Sequence, residues 1–347
     1  MEIKSFSGSF FQIGVQQGKI YKRNGLRIFD QGLKNKKCYQ EQLRIYKKYY
    51  PEMLDEFQGI AKGGGFQEDN VVSKFITTEI LEFTDYTKNI GCTIFGLKNK
   101  NGFFVGRNYD GPAYLRKFIR AYITHNNEAK SFVAITDMGG IGVKCEDLSR
   151  LFYLPEDFIN EDGLYIGMTI GYSNSWSYGL SPIHISKKVS ETCSNVEEAL
   201  NFFGKIPVCR SKHFFLADSE GNMAVVEHTA RKFDIIRPNE EMLIHTNHYL
   251  SKKLKKYDKI INIKPRTTSF ERCDTLLETL KNTRKNFRKQ NVKEILNDKH
   301  SIVYQENDTT VSDYEATVWT LSLDMFNKDY VLFYGNKRPD KKILLKI

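Results

Sequence analysis

The segment that decides the fold is residues 91–111, which read GCTIFGLKNKNGFFVGRNYDG. Two runs rich in β-branched and aromatic residues flank a polar stretch that ends in Asn101-Gly102, a strong signal for a β-hairpin. When a tight turn joins two antiparallel strands, the start of the first strand lies beside the end of the second. We therefore expect Arg107 and Asp110 to lie near Cys92.

Cys92 carries the most reactive side chain of this hairpin. The thiolate is the nucleophilic form of cysteine, and a cation such as Arg107 favours it, so we expect a thiol pKa below the ~8.5 of free cysteine. If the Gly91-Cys92 bond were cut, the new α-amine could serve as the base, and Asp110 could orient that amine. The alternative interpretation is a structural cysteine in an ordinary surface hairpin, since most cysteines are small buried apolar residues.

The composition bounds the class of protein. The chain has 347 residues, of which 40% are hydrophobic, enough for one large domain or two ordinary ones. Its start lacks a basic segment followed by an apolar core, and no apolar run approaches the ~20 residues of a spanning helix, so we expect a cytoplasmic protein with no membrane partner. Six cysteines without a Cys-x-x-Cys pair agree with a reducing compartment.

The formal net charge of +10 raises the question of nucleic-acid binding. The lysine-rich segments 252–256 and 281–289 are where such a patch would be built. No zinc finger, helix-turn-helix or aromatic-interleaved RNA motif accompanies them, and lysine is abundant along the entire chain. Solvated helix faces explain the charge better, so we expect no nucleic-acid partner.

The periodicity of apolar residues divides the chain into four blocks. Helical spacing marks residues 12–60 and 68–83, with a break at Gly63-Gly64-Gly65. Strands are predicted from Cys92 onward, at about 103–108, 117–124, 130–137, 163–170, 213–218 and 223–228, and again at 317–323 and 330–335. Helix starts are indicated between these strands by Ser181-Pro182, Ser194-x-x-Glu197 and Thr268-x-x-Glu271. This order predicts stacked sheets covered by helices.

Motifs spread over nearly the whole chain carry a resemblance to a known family. They are Gly8-Ser9-Phe10-Phe11-Gln12-Ile13-Gly14, Gly91-Cys92-Thr93, Gly106-Arg107-Asn108-x-Asp110, Asn160-Glu161-Asp162-Gly163-Leu164, Val196-Glu197-Glu198-Ala199, His245-Thr246-Asn247-His248 and Ser269-x-x-Arg272. In this order and spacing they resemble the family of acyl-coenzyme A:isopenicillin N acyltransferase, which is related to the choloylglycine hydrolases and penicillin V acylases.

The resemblance implies an α+β protein with the four-layer αββα fold of the N-terminal-nucleophile hydrolases. Residues 1–91 would be a helical pro-segment of a zymogen, removed by autocatalytic cleavage but retained in the complex, and residues 92–347 the catalytic core. The family further implies that Asn247 donates to the oxyanion, that Arg107 and Asp110 support the nucleophile, and that Arg272 completes the polar site. Loss of one oxyanion donor typically costs ~10²- to 10³-fold in rate.

Two points remain open at this stage. Relatives place an asparagine where this chain has Gly167-Met168-Thr169-Ile170, and either Thr169 or Asn174 could replace it as a second oxyanion donor. His245-x-x-His248 could also be read as metal ligands, but no helical His-Glu-x-x-His pattern surrounds it. We therefore expect no metal and no bound cofactor.

Together these features predict a cysteine amidohydrolase or acyltransferase acting on linear, non-peptide-backbone amides through a Cys92 thioester. Its partners would be a small-molecule acyl amide and, for a transferase, acyl-coenzyme A; a homo-oligomer is left open. Abundant Phe and Tyr favour an apolar or aromatic acyl group. The alternatives are a bile-salt or fatty N-acyl amide hydrolase without transferase activity, and a catalytically silent binding or scaffold protein with the same fold.

Overall fold

The computed structural model describes residues 3–23, 33, 35–81, 91–137, 155–260, 268–306 and 315–347. Within them the helices are α1 Phe10–Arg23, α2 Lys36–Tyr49, α3 Pro51–Gly64, α4 Glu68–Leu81, α5 Pro182–Thr192, α6 Val196–Phe203, α7 Ser269–Thr283 and α8 Lys289–Leu296. The strands are β1 Lys4–Gly8, β2 Cys92–Asn99, β3 Gly102–Pro112, β4 Arg120–Asn126, β5 Phe132–Thr136, β6 Pro155–Asn160, β7 Tyr165–Ile170, β8 Lys212–Ala217, β9 Met223–His228, β10 Phe233–Ile236, β11 Met242–His245, β12 Glu315–Asp324, β13 Asp329–Tyr334 and β14 Lys341–Leu345.

The strands form two sheets. The first sheet has eight strands in the order β1-β4-β5-β6-β7-β8-β9-β10, and the second has six in the order β11-β2-β3-β12-β13-β14. The pair β1–β4 is parallel, and the hairpin β2–β3 lies antiparallel near the middle of the second sheet. Apolar side chains of the two sheets, such as Ile94 and Phe215, meet in a shared core.

Helices cover the outer face of each sheet. Residues of α1–α6 pack with the first sheet in one apolar cluster, and residues of α7 and α8 pack with β2, β3 and β11 in another. Burial of a large aliphatic or aromatic side chain stabilises a fold by roughly 1.5–3 kcal/mol, so each helical layer is held mainly by its apolar face. The predicted α+β, four-layer αββα architecture is confirmed.

The N-terminal residues are integrated into these layers. Strand β1 extends the first sheet beyond β4, and α1 crosses α3 with the two backbones in contact. A Cβ on Gly14 would lie 2.0 Å from the carbonyl oxygen of Glu56, and one on Gly59 would lie 2.1 Å from that of Phe11. The predicted pro-segment therefore contains a strand as well as helices, and its boundary at Gly91-Cys92 stays a prediction.

Two local predictions shift by one residue. Asn99 pairs with Gly102, so the hairpin turn is Lys100-Asn101 and not Asn101-Gly102; Gly102 has φ +151°, which glycine tolerates best. Helix α6 is capped by Asn195, whose side chain accepts from the Glu198 amide, so the predicted capping box at Ser194 is wrong by one position. In both places the sequence predicts the right kind of turn or cap, but at a position one residue away from the observed one.

The remaining element predictions are confirmed in outline, with strands β1, β6, β10 and β14 and helix α8 missed. The predicted helix 68–83 is observed to Leu81, and its last residues lie outside the described part of the chain. Among the described residues no helix has the length and apolar composition needed to cross a membrane.

Candidate active site

The five residues predicted for the site converge in one buried cluster, which we call the Cys92 cluster: Cys92, Arg107, Asp110, Asn247 and Arg272. Each is at most 1% exposed. Cys92 begins β2, Arg107 and Asp110 lie in β3, Asn247 follows β11, and Arg272 lies in the first turn of α7. Arg272 is therefore a buried residue of the cluster and not a solvated residue of the helix surface.

Arg107 and Asp110 approach Cys92 from different sides. Side chains alternate between the two faces of a strand, so residues three apart point to opposite faces. Arg107 faces the first sheet, where its Nη1 donates to the carbonyl of Met168 at 2.8 Å. Asp110 faces α7, where Arg272 Nη1 lies 3.9 Å from its Oδ2, and Thr317 of β12 donates to its Oδ1 at 2.8 Å. One residue can thus serve the sulfur and the other the backbone of Cys92.

Arg107 is oriented toward the sulfur by a carboxylate that the sequence analysis missed. Its Nη2 lies 3.9 Å from Cys92 Sγ, and its Nε donates to Asp157 Oδ2 at 2.7 Å. Asp157 also accepts from the hydroxyl of Tyr165 at 2.7 Å and the indole of Trp319 at 3.0 Å. These hydrogen bonds fix the carboxylate and, through it, the guanidinium.

The thiol of Cys92 is not acidic in the intact chain. Burial raises its pKa to about 11, although the positive charge of Arg107 acts in the opposite direction. The expectation of a pKa below that of free cysteine is therefore wrong for this form. Desolvation penalises the thiolate, and the negative charges of Glu156 and Asp110 raise the pKa further, against the effect of Arg107.

Asp110 has an unused carboxylate oxygen. Its Oδ2 is buried and has no hydrogen-bond partner among the described residues, and Arg272 Nη1 lies 3.9 Å away. Burial raises the pKa of this carboxyl, and Arg272 acts to lower it. The backbone N–H of Asp110 donates to the carbonyl oxygen of Gly91 at 3.0 Å, which places the residue beside the Gly91-Cys92 peptide bond.

Asn247 and Arg272 hold the backbone of Cys92. The amide N–H of Cys92 donates to Asn247 Oδ1 at 3.0 Å, and Arg272 Nη2 donates to the same oxygen at 2.9 Å. Arg272 Nη1 donates to the Cys92 carbonyl at 2.6 Å and to Thr93 Oγ1 at 2.6 Å. Asn247 Nδ2 donates to the carbonyl of Ile170 at 3.2 Å, leaving its second N–H for another acceptor.

Two neighbouring hydroxyls support these residues. Thr268 precedes α7, and its Oγ1 accepts from Arg272 Nε at 3.0 Å. Ser269 Oγ accepts from the backbone amides of Asn247 at 3.0 Å and His248 at 3.1 Å. Ser269 belongs to the motif Ser269-x-x-Arg272, so a sequence signal existed for it; Asp157 lies in a strand that was not predicted.

The second oxyanion donor stays a prediction. Thr169 Oγ1 lies 3.3 Å from His245 Nδ1, and Asn174 is exposed. Of the two motif histidines, His248 has its Nδ1 2.9 Å from Ser269 Oγ. The other, His245, approaches His213 and Glu227, with potential ligand atoms within 4.8 Å of one another.

The facing sheets between helical layers, with a cysteine at the first residue of a central strand, define an N-terminal-nucleophile hydrolase fold. A variant of the conjugated bile acid hydrolase from Clostridium perfringens has a similar structure, with a TM-score of 0.50 and 14% sequence identity over 74% of this chain and 97% of that one. At this identity the likeness concerns the fold. A second variant of that hydrolase has a TM-score of 0.49, with the same identity and coverage. Penicillin V acylase from Agrobacterium tumefaciens has a TM-score of 0.40 and 15% identity over 70% of this chain and 83% of that one.

The chain belongs to the acyl-coenzyme A:6-aminopenicillanic acid acyl-transferase family, which matches residues 97–339 and thus well over half of its length. The resemblance stated from the motifs is confirmed. No curated protein matches the chain in sequence. The family match begins after Cys92, so the assignment of this residue as the nucleophile depends on the hairpin and on the contacts of the cluster.

Proposed function

We propose that the chain cleaves itself between Gly91 and Cys92 and then acts as a cysteine amidohydrolase or acyltransferase on linear, non-peptide-backbone amides. The observation that supports this most strongly is the set of contacts around one backbone bond. Asn247 holds the Cys92 nitrogen, Arg272 holds its carbonyl and Arg107 lies beside its sulfur. Membership of an acyltransferase family supports the same reaction class.

Self-cleavage begins with attack of Cys92 Sγ on the Gly91 carbonyl carbon. The oxygen of that carbonyl becomes the oxyanion, and the Asp110 N–H already donates to it. The C–N bond then breaks, leaving Gly91 as a thioester on the sulfur and Cys92 with a free amine. Water hydrolyses the thioester, which releases residues 1–91 with a new carboxylate and residues 92–347 with an N-terminal cysteine.

The first step needs a proton acceptor, because a thiol with a pKa of about 11 is almost fully protonated near neutrality. The α-amine does not yet exist at this stage. We assign the role to Asp110, whose Oδ2 is buried without a hydrogen-bond partner among the described residues. Because Asp110 lies on the face of β3 away from the sulfur, it receives the thiol proton through a water molecule and passes it to the departing nitrogen. After cleavage the same oxygen holds the new α-amine.

Turnover repeats this chemistry on an external amide. The α-amine of Cys92 takes the thiol proton, the sulfur attacks the acyl carbon, and the second N–H of Asn247 donates to the oxyanion. The substrate's amine leaves with the proton, and an acyl thioester remains on Cys92. Attack by water completes hydrolysis, and attack by a second amine completes acyl transfer.

The balance between these outcomes depends on which acceptor reaches the thioester. The family description names acyl-coenzyme A as a donor, which supports a transferase that loads Cys92 from an acyl thioester. The structurally similar protein is named a conjugated bile acid hydrolase, which supports hydrolysis as the other outcome. A small acyl amide is thus the proposed first substrate, with acyl-coenzyme A as the alternative donor in a cytoplasmic setting.

The decisive experiment is the intact mass and N-terminal sequence of the purified protein, followed by assay with a panel of N-acyl amides and acyl-coenzyme A donors. We expect chains corresponding to residues 1–91 and 92–347 and release of amine from at least one amide. A protein that keeps residue 1 as its only N-terminus and turns over no amide or thioester would be a catalytically silent member of the fold, and the proposal would be wrong.

A further inference from the structure

Three buried ionisable side chains contact the backbone of the turn that carries Asn247. Strand β8 contributes His213, β9 contributes Glu227 and β11 contributes His245. All three are at most 1% exposed. We infer that Glu227 and a positively charged His245 form an ion pair that positions Asn247 for catalysis, an inference that rests on the proposed function.

The charge of His245 follows from its hydrogen-bond partners. Nδ1 lies 2.9 Å from the carbonyl oxygen of Thr246, and Nε2 lies 2.9 Å from Glu227 Oε1. A carbonyl and a carboxylate both accept hydrogen bonds, whereas a neutral imidazole can donate from only one of its nitrogens. The Thr169 hydroxyl lies 3.3 Å from the same Nδ1 and could donate to it only if that nitrogen were unprotonated. The shorter carbonyl contact requires a proton on Nδ1, so the contacts to the carbonyl and to the carboxylate are satisfied together when His245 is an imidazolium.

Glu227 connects this cation to the far side of the turn. Its Oε1 accepts from the Leu250 amide at 2.6 Å, and its Oε2 accepts from the Ser251 amide at 2.9 Å. His245 holds the carbonyl just before Asn247, and Glu227 holds the amides just after it. Hydrogen bonds to charged groups are roughly twice as strong as neutral ones, so the pair fixes the backbone on both sides of Asn247.

His213 adds a neutral contact to the same turn. Its Nε2 lies 3.3 Å from the carbonyl oxygen of Asn247. Burial lowers the pKa of His213 to about 3, and the positive charge of His245 acts in the same direction. In Glu227, burial favours the protonated form, but the hydrogen bond and charge of His245 outweigh it and lower the pKa to about 2. The low pKa of Glu227 makes it the anion of the group, and the hydrogen-bond partners of His245 make that residue the cation.

Precise placement matters because Asn247 contacts the reacting residue directly. Its Oδ1 accepts from the Cys92 nitrogen at 3.0 Å, the atom that leaves during self-cleavage and serves as the base afterwards. A displacement of ~1 Å at such a position can cost on the order of 10²-fold in rate. Glu227 and His245 are therefore positioning residues, which act on the reaction through Asn247.

A divalent cation between His213, Glu227 and His245 is the competing explanation for the same geometry. The ion pair is favoured because it already satisfies both nitrogens of His245 and both oxygens of Glu227 with protein groups. The two explanations differ in the proton on Nε2 of His245, which a bound metal would replace.

The first test is spectroscopic and independent of activity. The full chain carrying Cys92→Ala, which cannot cleave itself, is labelled with ¹⁵N-histidine, and His245 is assigned by comparison with the same chain carrying His245→Gln. We expect both ring nitrogens of His245 to be protonated near neutral pH. An unprotonated ring nitrogen, or a stoichiometric metal in elemental analysis that shifts the His245 signals when chelated, would overturn the inference.

The second test is kinetic, with Glu227→Gln in the otherwise unaltered chain. The amide keeps the shape but removes the anion, so we expect self-cleavage and kcat to fall by on the order of 10²-fold while KM changes little. Asp218→Asn is the matched control: Asp218 is also buried and accepts backbone N–H groups, from Val196 at 2.9 Å and Asn222 at 2.9 Å, at the turn between β8 and β9. It should leave both rates nearly unchanged.

Failure of the positioning role and failure of the proposed function give different results in these experiments. A folded Glu227→Gln protein that cleaves and turns over at the parental rate, or equal losses in Glu227→Gln and Asp218→Asn, would overturn the positioning role. A parental chain that shows neither cleavage nor turnover would overturn the proposed function instead, and the ring-nitrogen measurement would still decide whether the ion pair exists.

Discussion

Two buried polar clusters of this chain contain similar charged groups, but they differ in how many of their donors and acceptors have partners within the cluster. In the helix cluster, formed by Tyr50, Glu56, Lys187 and Glu191 between α3 and α5, Lys187 Nζ pairs with Glu56 at 2.7 Å and with Glu191. The hydroxyl of Tyr50 donates to Glu191. These charges pair with one another.

The Cys92 cluster is arranged differently. It surrounds a peptide bond, its sulfur lies 3.9 Å from the nearest guanidinium nitrogen, and Asp110 Oδ2 lacks a hydrogen-bond partner among the described residues. Burial raises a pKa in both clusters, that of Glu191 in one and that of Cys92 in the other. Burial of charge alone therefore does not distinguish the two clusters; the unused carboxylate oxygen beside the Gly91-Cys92 bond does.

The largest expected effect is the loss of self-cleavage, which should follow a substitution in the Cys92 cluster but not one in the helix cluster. Cys92→Ala should abolish both self-cleavage and turnover, because no other group supplies the nucleophile in the proposed mechanism. Lys187→Met in the helix cluster should still cleave itself when folded. Intact mass of both proteins after purification checks this, and cleavage that persists in Cys92→Ala would contradict the assignment of the nucleophile.

A second substitution tests the oxyanion donor. Asn247→Ala should slow self-cleavage and turnover by on the order of 10²- to 10³-fold, the usual cost of losing such a donor. Asn160→Ala is a matched control, because Asn160 is also buried and its amide donates to the carbonyls of Ser190 and Cys193 at 3.0 and 2.8 Å. Time courses of cleavage measure both, and comparable slowing in the two variants would indicate a structural effect only.

The helix cluster should matter for stability. Removing one partner of a buried ion pair typically costs about 3–5 kcal/mol, so Lys187→Met should lower the free energy of unfolding by that amount. Urea denaturation in the Cys92→Ala background, which keeps the chain in one piece, provides the measurement. Because Glu56 precedes and Lys187 follows the proposed cleavage point, the variant should also weaken the association of the two fragments in the Cys92 protein.

The smallest expected effect concerns the thiol itself. In the intact chain, alkylation of Cys92 by iodoacetamide should rise with pH toward about 11, since only the thiolate reacts. Arg107→Leu removes a favourable cation, so it should move the profile to higher pH and slow labelling at any given pH. The Asn247→Ala background slows cleavage enough for the measurement. Identical profiles with and without Arg107 would remove this arginine from the control of the thiol.

Local patterns in the sequence predicted the parts of the site that depend on neighbouring residues. The hairpin signal placed Arg107 near the sulfur, because the register of a short antiparallel pair follows from its turn. An error of one residue in the turn left the pairing of the two strands recognisable. Asp157 was missed because it contacts Arg107 from another sheet, 50 residues further along the chain.

The sequence by itself thus determined the hairpin, the approach of Arg107 and Asp110 to Cys92, and, through its motifs, the family and the layered fold. Only the tertiary structure decided the protonation of the thiol and the environment of the bond before it. Asn247 and Arg272 reach Cys92 from 155 and 180 residues away, and the two packed sheets bury its side chain. A pKa depends on everything that surrounds the group in space, which no local pattern in the chain records.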